Sequence, residues 1–201
     1  MQLKIGITGG IGSGKTTVCQ VFELLGIPVF YADAAAKEVM HTDEELKQGI
    51  ITSFGLQSFS EGGILDRKYL ADIVFYDKKA LDTLNALVHP AVFRAFDAWV
   101  KKFPQAPYVL KEAALLFESD SYKMCTHSIL VKAPEALKIS RVMRRDHITE
   151  AEVRLRMARQ FSDEAKERLA DFIIMNDENE MVIPQVLKLH EYFISLEPVL
   201  A

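Results

Sequence analysis

The chain has 201 residues, of which 49% are hydrophobic and 26% charged, and its formal net charge is −4. This composition is ordinary for a globular protein, and the slight acidity argues against a nucleic-acid-binding domain, which is usually basic. Because no apolar run reaches the length of a membrane span and the two cysteines lack metal-site spacing, we expect a cytoplasmic protein that binds neither nucleic acid nor membrane. The sequence gives no indication of an oligomeric state.

Segments with a strand pattern alternate with segments with a helical pattern. The patterns predict, in chain order, a strand at 3–8, a helix at 15–25, a strand at 27–31 and helices at 34–40 and 42–54. After a turn at 59–67 come predicted helices at 66–74, 78–88 and 91–102 and a strand at 108–110. The last predicted elements are strands at 128–132 and 172–175 and helices at 135–145, 149–160, 162–170 and 181–195. Such alternation predicts an α/β fold with a parallel sheet, and the helical excess at 33–102 predicts an insertion beside it.

Local signals predict where three of the helices begin or end. Thr42 and Glu45 have the spacing of a capping box, which predicts that the helix at 42–54 begins there. Pro90 suits the first turn of a helix, so the segment at 91–102 is predicted to be a separate helix. Gly26 is placed to follow the C-terminus of the helix at 15–25.

A glycine-rich loop, "GITGGIGSGKTTV", lies between the first strand and the first helix. It contains the full phosphate-binding loop pattern, from Gly9 through Gly14 to Lys15 and Thr16. In such a loop, main-chain N–H groups and a helix N-terminus surround a phosphate, the lysine reaches the outer phosphates, and the threonine hydroxyl ligates Mg²⁺. We therefore predict an ATP and Mg²⁺ site with Thr16 as the metal ligand and with ATP contacts from Gly10, Ile11, Gly12, Ser13, Gly14, Lys15, Thr16 and Thr17.

Motifs that distinguish the classes of phosphate-loop proteins indicate to which of them this chain belongs. GTPases usually carry an N-K-x-D motif on a late strand, and this sequence has none. Motor ATPases are usually longer and have an apolar strand that ends in Asp-Glu, whereas the corresponding segment here is "YVLKEAALLFE". A small-molecule kinase is therefore favoured, and it needs an acceptor-activating group and a cationic lid.

Two features are candidates for these roles, and each has a simpler interpretation. Asp33 follows the second strand and is expected to project from the same sheet edge as the loop, where it would take the proton of an acceptor hydroxyl; it would equally serve as an N-cap. The arginine-rich segment at 141–160 would form a mobile lid, or else a solvated helix pair with scattered ion pairs. For the cluster as a whole we favour the lid.

With these residues in place, nearly the whole chain resembles the dephospho-CoA kinase family. The loop with its double glycine, and the segments "ELLGIPVFYAD", "EGGILDRKYLADIVF", "LNALVHPAV", "ALLFES" and "LADFIIMN", are similar to family motifs in order and spacing. The resemblance implies ATP-dependent phosphorylation of the ribose 3′-hydroxyl of dephospho-CoA, the last step of coenzyme A synthesis. The alternatives are another kinase on this scaffold, acting on a nucleoside monophosphate or a small hydroxy acid, and a non-catalytic ATP-sensing protein.

The resemblance also implies a division of the chain and further site residues. It implies a five-stranded phosphate-loop kinase core at about 1–32, 103–140 and 163–201, a helical acceptor domain at about 33–102 and a lid at about 141–162. The residues it implies are Arg141 as a catalytic charge, Arg156 and Gln160 in the lid, Asn176 at ATP, and Arg67 and His89 at the substrate. From the sequence alone, His89 beside Pro90 is better interpreted as a packing residue that caps a helix break.

Some positions depart from the family pattern. Tyr31 replaces the first aspartate of a common Asp-Ala-Asp, so Asp33 alone inherits the acceptor role. Glu112 stands where an aspartate is frequent, Ala114 where a proline is usual and Lys138 where a glutamine is common. Tyr31 and Glu112 leave the finer metal geometry open.

Overall fold

The computed structural model describes residues 2–196. They form two compact units. One, the sheet unit, contains the described residues up to Tyr31 and those from Phe103 onward. The other, the helical unit, is Ala32–Lys102.

The sheet unit contains a five-stranded sheet in which every pair of neighbours is parallel. Its strands are β1 (Leu3–Thr8), β2 (Val29–Tyr31), β3 (Tyr108–Glu112), β4 (His127–Lys132) and β5 (Phe172–Met175), in the spatial order β2-β3-β1-β4-β5. The predicted α/β class with a five-stranded parallel sheet is therefore confirmed. β1 is central, so the loop that follows it leaves the middle of the sheet.

Helices fill most of the remaining described chain. They are α1 (Lys15–Leu24), α2 (Ala32–Thr42), α3 (Glu44–Phe54), α4 (Arg67–Tyr76), α5 (Lys78–Val100), α6 (Glu135–Asp146), α7 (Glu150–Met157), α8 (Asp163–Glu167) and α9 (Val182–Ser195). As predicted, Gly26 follows α1 with φ +81°. Within residues 2–196, no helix has both the length and the apolar character that crossing a membrane requires.

The main core lies where α1 and α9 pack against the sheet. The sequences of the central strands are mostly apolar because both faces of these strands are buried, as is typical of parallel sheets. Ile5 and Ile7 of β1 are completely buried, as are Phe22 of α1 and Phe193 of α9. This packing fixes the end of β1 and the start of α1, and with them the two ends of the glycine-rich loop.

The helical unit corrects two predictions about helix ends. α3 begins after Asp43, not Thr42, because the Asp43 carboxylate accepts the main-chain N–H of Leu46 at 2.8 Å. Thr42 is the last residue of α2, where its hydroxyl donates to the Glu38 carbonyl. Pro90 lies inside the single helix α5 and does not start a second one.

The continuity of α5 has a physical reason. A proline inside a helix removes a hydrogen bond and costs about 3 kcal/mol. The buried face of α5 nevertheless continues through Pro90, from Leu84 and Val88 before it to Val92 and Phe96 after it. Burying a large apolar side chain stabilises by roughly 1.5–3 kcal/mol, so one continuous packed face outweighs the lost bond.

Candidate active site

The glycine-rich loop takes a conformation that requires glycine at two positions. Gly12 and Gly14 have φ values of +80° and +90°, which L side chains rarely adopt. A Cβ at Gly12 would collide with the Lys138 carbonyl oxygen, and one at Gly14 with the Asn176 side-chain amide. The loop is thus closely packed against Lys138 and Asn176 at these two glycines.

Lys15 and its neighbours begin α1 directly after this loop. The Lys15 ammonium donates to the carbonyl oxygens of Gly9 at 2.9 Å and Gly10 at 3.4 Å, so it is held over the loop. Thr16 and Thr17 are exposed. Within residues 2–196, the buried hydroxyl oxygen of Ser13 has no hydrogen-bond partner, so a phosphate oxygen or a water is needed to satisfy it.

Asn176 and Arg141 meet beside the loop although they come from distant parts of the chain. Asn176 follows β5, and its side-chain amide donates to the Ser13 carbonyl at 2.8 Å. Arg141 of α6 donates to the main-chain carbonyl of Asn176 at 3.2 Å and forms an ion pair with Glu178 at 3.3 Å. The structure therefore brings two of the expected site residues to one edge of the phosphate loop, with Arg141 about three-quarters buried at 23% side-chain exposure.

Gln160 joins the loop to the segment that follows α7. Its side-chain oxygen accepts the Ile11 main-chain N–H at 2.9 Å, and its amide donates to the Ala114 carbonyl at 3.2 Å. The Ile11 side chain in turn packs against the small apolar cluster of α6 and α7 that contains Val142 and Val153. One amide of the loop is thus tied to the predicted lid by a hydrogen bond and by apolar contacts.

Three other arginines of this segment, Arg145, Arg154 and Arg156, form ion pairs on its surface. Arg156 pairs with Asp146 at 2.8 Å, and about half of its side chain is exposed. The hydrogen bonds of Arg145, followed by those of Arg156, lower the pKa of Asp146. Arg154 pairs with both Glu135 and Glu150. Arg141 differs from Arg154 and Arg156 because it contacts the residue that is bonded to the phosphate loop.

Three expected site residues belong to the helical unit. Asp33 is exposed and is the second residue of α2, so the N-cap interpretation of Asp33 is wrong. Arg67 begins α4, and its guanidinium lies 3.0 Å from His41 Nε2. His89 is in the middle of α5, where its ring stacks on Phe93; since there is no break at Pro90, the interpretation of His89 as the cap of a break is also wrong.

Tyr31 stands at the position of a family aspartate but cannot supply the negative charge of a carboxylate. Burial, followed by the nearby Cys19 and Glu23, raises the pKa of the Tyr31 phenol. The phenol is therefore neutral at ordinary pH and supplies no anionic oxygen. Asp33, two residues later, remains the carboxylate of this segment.

The free cysteines are not candidates for catalysis. Cys19 of α1 is buried, and burial raises the pKa of its thiol. Burial likewise raises the pKa of the Cys125 thiol to about 11. Both thiols are protonated at neutral pH, and a thiol is a far weaker nucleophile than a thiolate.

The donor groups near the loop suit Mg²⁺. Magnesium takes hard oxygen ligands and is usually held by one or two protein groups together with substrate phosphates. The exposed Thr16 hydroxyl at the start of α1 is such a group. Among residues 2–196 there is no cluster of three acidic, histidine or cysteine side chains that could hold a metal ion.

Two buried ion pairs beside the loop were not expected from the sequence. Lys138 pairs with Asp163 at 2.5 Å, and Lys166 pairs with Glu118 at 3.0 Å. Both lysines are almost completely buried. Lys138 precedes Arg141 by three residues on α6, and this spacing, together with its departure from the glutamine common in the family, was the sequence signal that pointed to it.

Comparisons with known proteins agree with one another. The model of the dephospho-CoA kinase family matches residues 3–181. A dephospho-CoA kinase of Salinibacter ruber is 41% identical over 175 residues, which cover 86% of this chain and 88% of the relative. One of Idiomarina loihiensis is 35% identical over 196 residues, covering 97% and 96%.

Solved structures show the same similarity. A protein of Thermus thermophilus has a TM-score of 0.82 and 34% identity, with 95% of this chain and 97% of the other covered. The dephospho-CoA kinase of Campylobacter jejuni has a TM-score of 0.69 and 26% identity, covering 95% and 96%. A shikimate kinase of Bacteroides thetaiotaomicron, at a TM-score of 0.53 and 14% identity over 96% and 99%, is similar in fold.

Proposed function

The chain belongs to the dephospho-CoA kinase family, and on that premise we propose how its residues transfer the γ-phosphoryl group of ATP to the ribose 3′-hydroxyl of dephospho-CoA. This transfer is the final step of coenzyme A biosynthesis. The observation that carries the proposal is the phosphate loop at the end of the central strand, with Lys15, Asn176 and Arg141 gathered around it.

ATP binds with its phosphates in the loop. The main-chain N–H groups of residues 10–17 and the N-terminus of α1 attract the phosphate oxygens. Lys15 exchanges its bonds to the Gly9 and Gly10 carbonyls for bonds to the outer phosphates, and the unsatisfied Ser13 hydroxyl gains a partner. Asn176 holds the loop at Ser13 and contacts the nucleotide from the β5 side.

Mg²⁺ has a supporting role, with Thr16 as its protein ligand. When bound, Mg²⁺ would neutralise part of the negative charge of the triphosphate. Arg141 adds a fixed positive charge where negative charge spreads during transfer, because its position beside Asn176 directs the guanidinium to the edge of the loop.

The acceptor is held by the helical unit. Asp33 orients the 3′-hydroxyl and receives its proton, and Arg67 and His89 contact dephospho-CoA. Two observations support this assignment: Asp33 is exposed and has no capping role, and Arg67 presents a cation at the start of α4. In this proposal the acceptor domain is 33–102, the lid is 141–162 with Arg156 and Gln160, and the remaining chain is the core.

We also infer that the enzyme works in the reducing cytoplasm. Its two cysteines are free thiols, which is usual for proteins of that compartment. The proposal includes dephospho-CoA as the acceptor, without a nucleic-acid or membrane partner.

An acceptor screen tests the proposed function. With Mg²⁺ and ATP, we expect phosphorylation of dephospho-CoA to be much faster than that of AMP or shikimate, measured as kcat/KM for each acceptor. A higher kcat/KM on AMP or shikimate would favour another kinase on this scaffold. Slow ATP hydrolysis that no acceptor accelerates would favour an ATP-sensing protein.

Replacing Arg141 with alanine is expected to lower kcat more than it weakens the binding of either substrate. Its charge is needed most while the phosphoryl group transfers, so its loss mainly destabilises the transition state. The loss of one hydrogen bond from a charged group predicts a decrease in kcat of roughly 10–100-fold. Steady-state kinetics with both substrates varied measure this.

Arg154→Ala is the matched control because Arg154 pairs only with acidic groups of α6 and α7 among its described ion pairs. It should leave kcat within about twofold, since exposed ion pairs contribute little. If Arg141→Ala raises the Michaelis constants while kcat stays normal, Arg141 is a ground-state contact and its assignment as a catalytic charge is incorrect.

A further inference from the structure

The buried ion pair between Lys138 and Asp163 lies directly against the phosphate loop. The two side chains are only 5% and 14% exposed, and their charged atoms are 2.5 Å apart. A Cβ added to Gly10 would be 3.1 Å from the Lys138 Nζ and 3.2 Å from an Asp163 carboxylate oxygen. Both charged groups therefore face Gly10 so closely that a side chain at this position would touch them.

Lys138 also supports the loop with its main chain. Its carbonyl oxygen is packed so closely beneath Gly12 that no Cβ fits between them. A single residue of α6 therefore faces the loop at two places, with its ammonium at Gly10 and its carbonyl at Gly12. Ile11, between these two glycines, is held by Gln160 at 2.9 Å.

The partner of Lys138 belongs to the helix that follows the predicted lid. Asp163 is the first residue of α8, and α8 is tied to the sheet unit by two more ion pairs, Lys166 with Glu118 and Glu167 with Lys132. Because α8 is fixed at three points, Asp163 is a fixed anchor for Lys138. A cavity of about 480 Å³ borders this arrangement and is lined by Gly10, Lys132, Lys138, Gln160 and Asp163, among others.

We propose that Lys138 and Asp163 are positioning residues for the nucleotide: their buried ion pair holds Gly10 and the first half of the phosphate loop in the conformation that binds ATP. The pair acts through the loop and does not touch the substrate. The inference rests on the proposed function, since it presupposes that the loop binds ATP. It assigns a role to the lysine at a position where the family pattern commonly has glutamine.

Three variants separate the effect of an unpaired buried charge on stability from the effect of the ion pair on nucleotide binding. Lys138→Met removes the cation and leaves the Asp163 carboxylate buried beside Gly10, which should lower the melting temperature markedly. The double variant Lys138→Met with Asp163→Asn removes both charges, so no uncompensated buried charge remains and stability should largely return. Lys123→Met is the control, because it breaks an exposed ion pair with Asp120, and neither residue belongs to α6, α8 or the loop.

Calorimetric titration with ADP and Mg²⁺ measures the affinity of the loop for a nucleotide without requiring turnover. We expect Lys138→Met and the double variant to bind ADP about tenfold more weakly, since small displacements of binding groups are costly. The KM for dephospho-CoA should change less than about twofold in both, and Lys123→Met should bind ADP as the unsubstituted protein does. The double variant is decisive because it should regain stability and not ADP affinity.

Recovery of both stability and ADP affinity in the double variant would overturn the proposal, since the pair would then only compensate buried charge. Equal weakening of ADP binding in Lys123→Met, or an equal rise of the KM values for both substrates in the double variant, would overturn it as well. If the unsubstituted protein fails to bind ADP, the phosphate-loop assignment itself is wrong. Normal ADP binding by that protein and by the double variant would refute the positioning role alone.

Discussion

Replacing Lys15 with alanine is expected to abolish phosphoryl transfer while the protein stays folded. In the free protein the Lys15 ammonium bonds to the carbonyl oxygens of Gly9 and Gly10, above the loop and outside the apolar core. Its removal therefore opens no cavity among the packed residues of β1 and α1. In the proposed function Lys15 is a cation at the outer phosphates, and a comparable charge, the arginine finger of GTPases, contributes about 10³–10⁵-fold to kcat.

We therefore expect kcat at saturating ATP to fall by more than about 10³-fold in Lys15→Ala. The melting temperature should change little, because the freed carbonyls of Gly9 and Gly10 can bond to water. Lys188→Ala, which removes an exposed lysine from α9, controls for the loss of one positive charge. Near-normal turnover of Lys15→Ala with saturating ATP would refute the assignment of the loop as the phosphate site.

The parts of this molecule that were predictable from the sequence depend on short-range patterns. All five strands were located because each is an apolar segment bounded by turn or helix signals. The phosphate loop was located because its glycines, Lys15 and Thr16 are adjacent in the chain. These features need only local chemistry, and the structure places the loop where a strand-loop-helix unit requires it.

The errors arose where local rules gave two answers and tertiary packing chose between them. Thr42 and Asp43 are adjacent residues that both suit an N-cap, and Asp43 takes the role while also pairing with Arg94 of α5. Pro90 suits a first turn, but the apolar face of α5 continues through it. Neither outcome follows from residue preferences alone.

The surroundings of the loop could not be predicted, because they join residues that are far apart in sequence. Asn176 bonds to Ser13 across 163 positions, and Gln160 bonds to Ile11 across 149. The contact of Lys138 with Asp163 was not predicted for a different reason: a charged residue on a helix is usually exposed, and both of these side chains are largely buried. The resemblance to a family suggested Asn176 and Gln160 as site residues, but their hydrogen bonds to Ser13 and Ile11 are known only from the structure.

Asp33→Asn is expected to leave stability nearly unchanged and to cut transfer to dephospho-CoA by about 10²-fold. Asp33 is exposed in the first turn of α2, where a negative charge gains only about 0.3–1 kcal/mol from the helix dipole. Asparagine has almost the same shape but neither takes a proton nor holds a hydroxyl with a full negative charge. General-base catalysis contributes roughly 10²–10⁴-fold, and the loose transition state of phosphoryl transfer needs little deprotonation, which favours the lower figure.

Asp33→Ala is a second variant for this test, and because Asp33 is not an N-cap we expect it to retain stability as well. Loss of a cap would cost about 1 kcal/mol, whereas here alanine should be as stable as asparagine to within the dipole contribution. Asp72→Asn makes the same chemical change at an exposed position of α4 and should keep normal kcat. Melting temperatures and kcat of the three variants test whether Asp33 acts in catalysis and not in stability. Because the expected loss of activity comes without loss of stability, full activity in Asp33→Asn would show that the 3′-hydroxyl is oriented and deprotonated by another group.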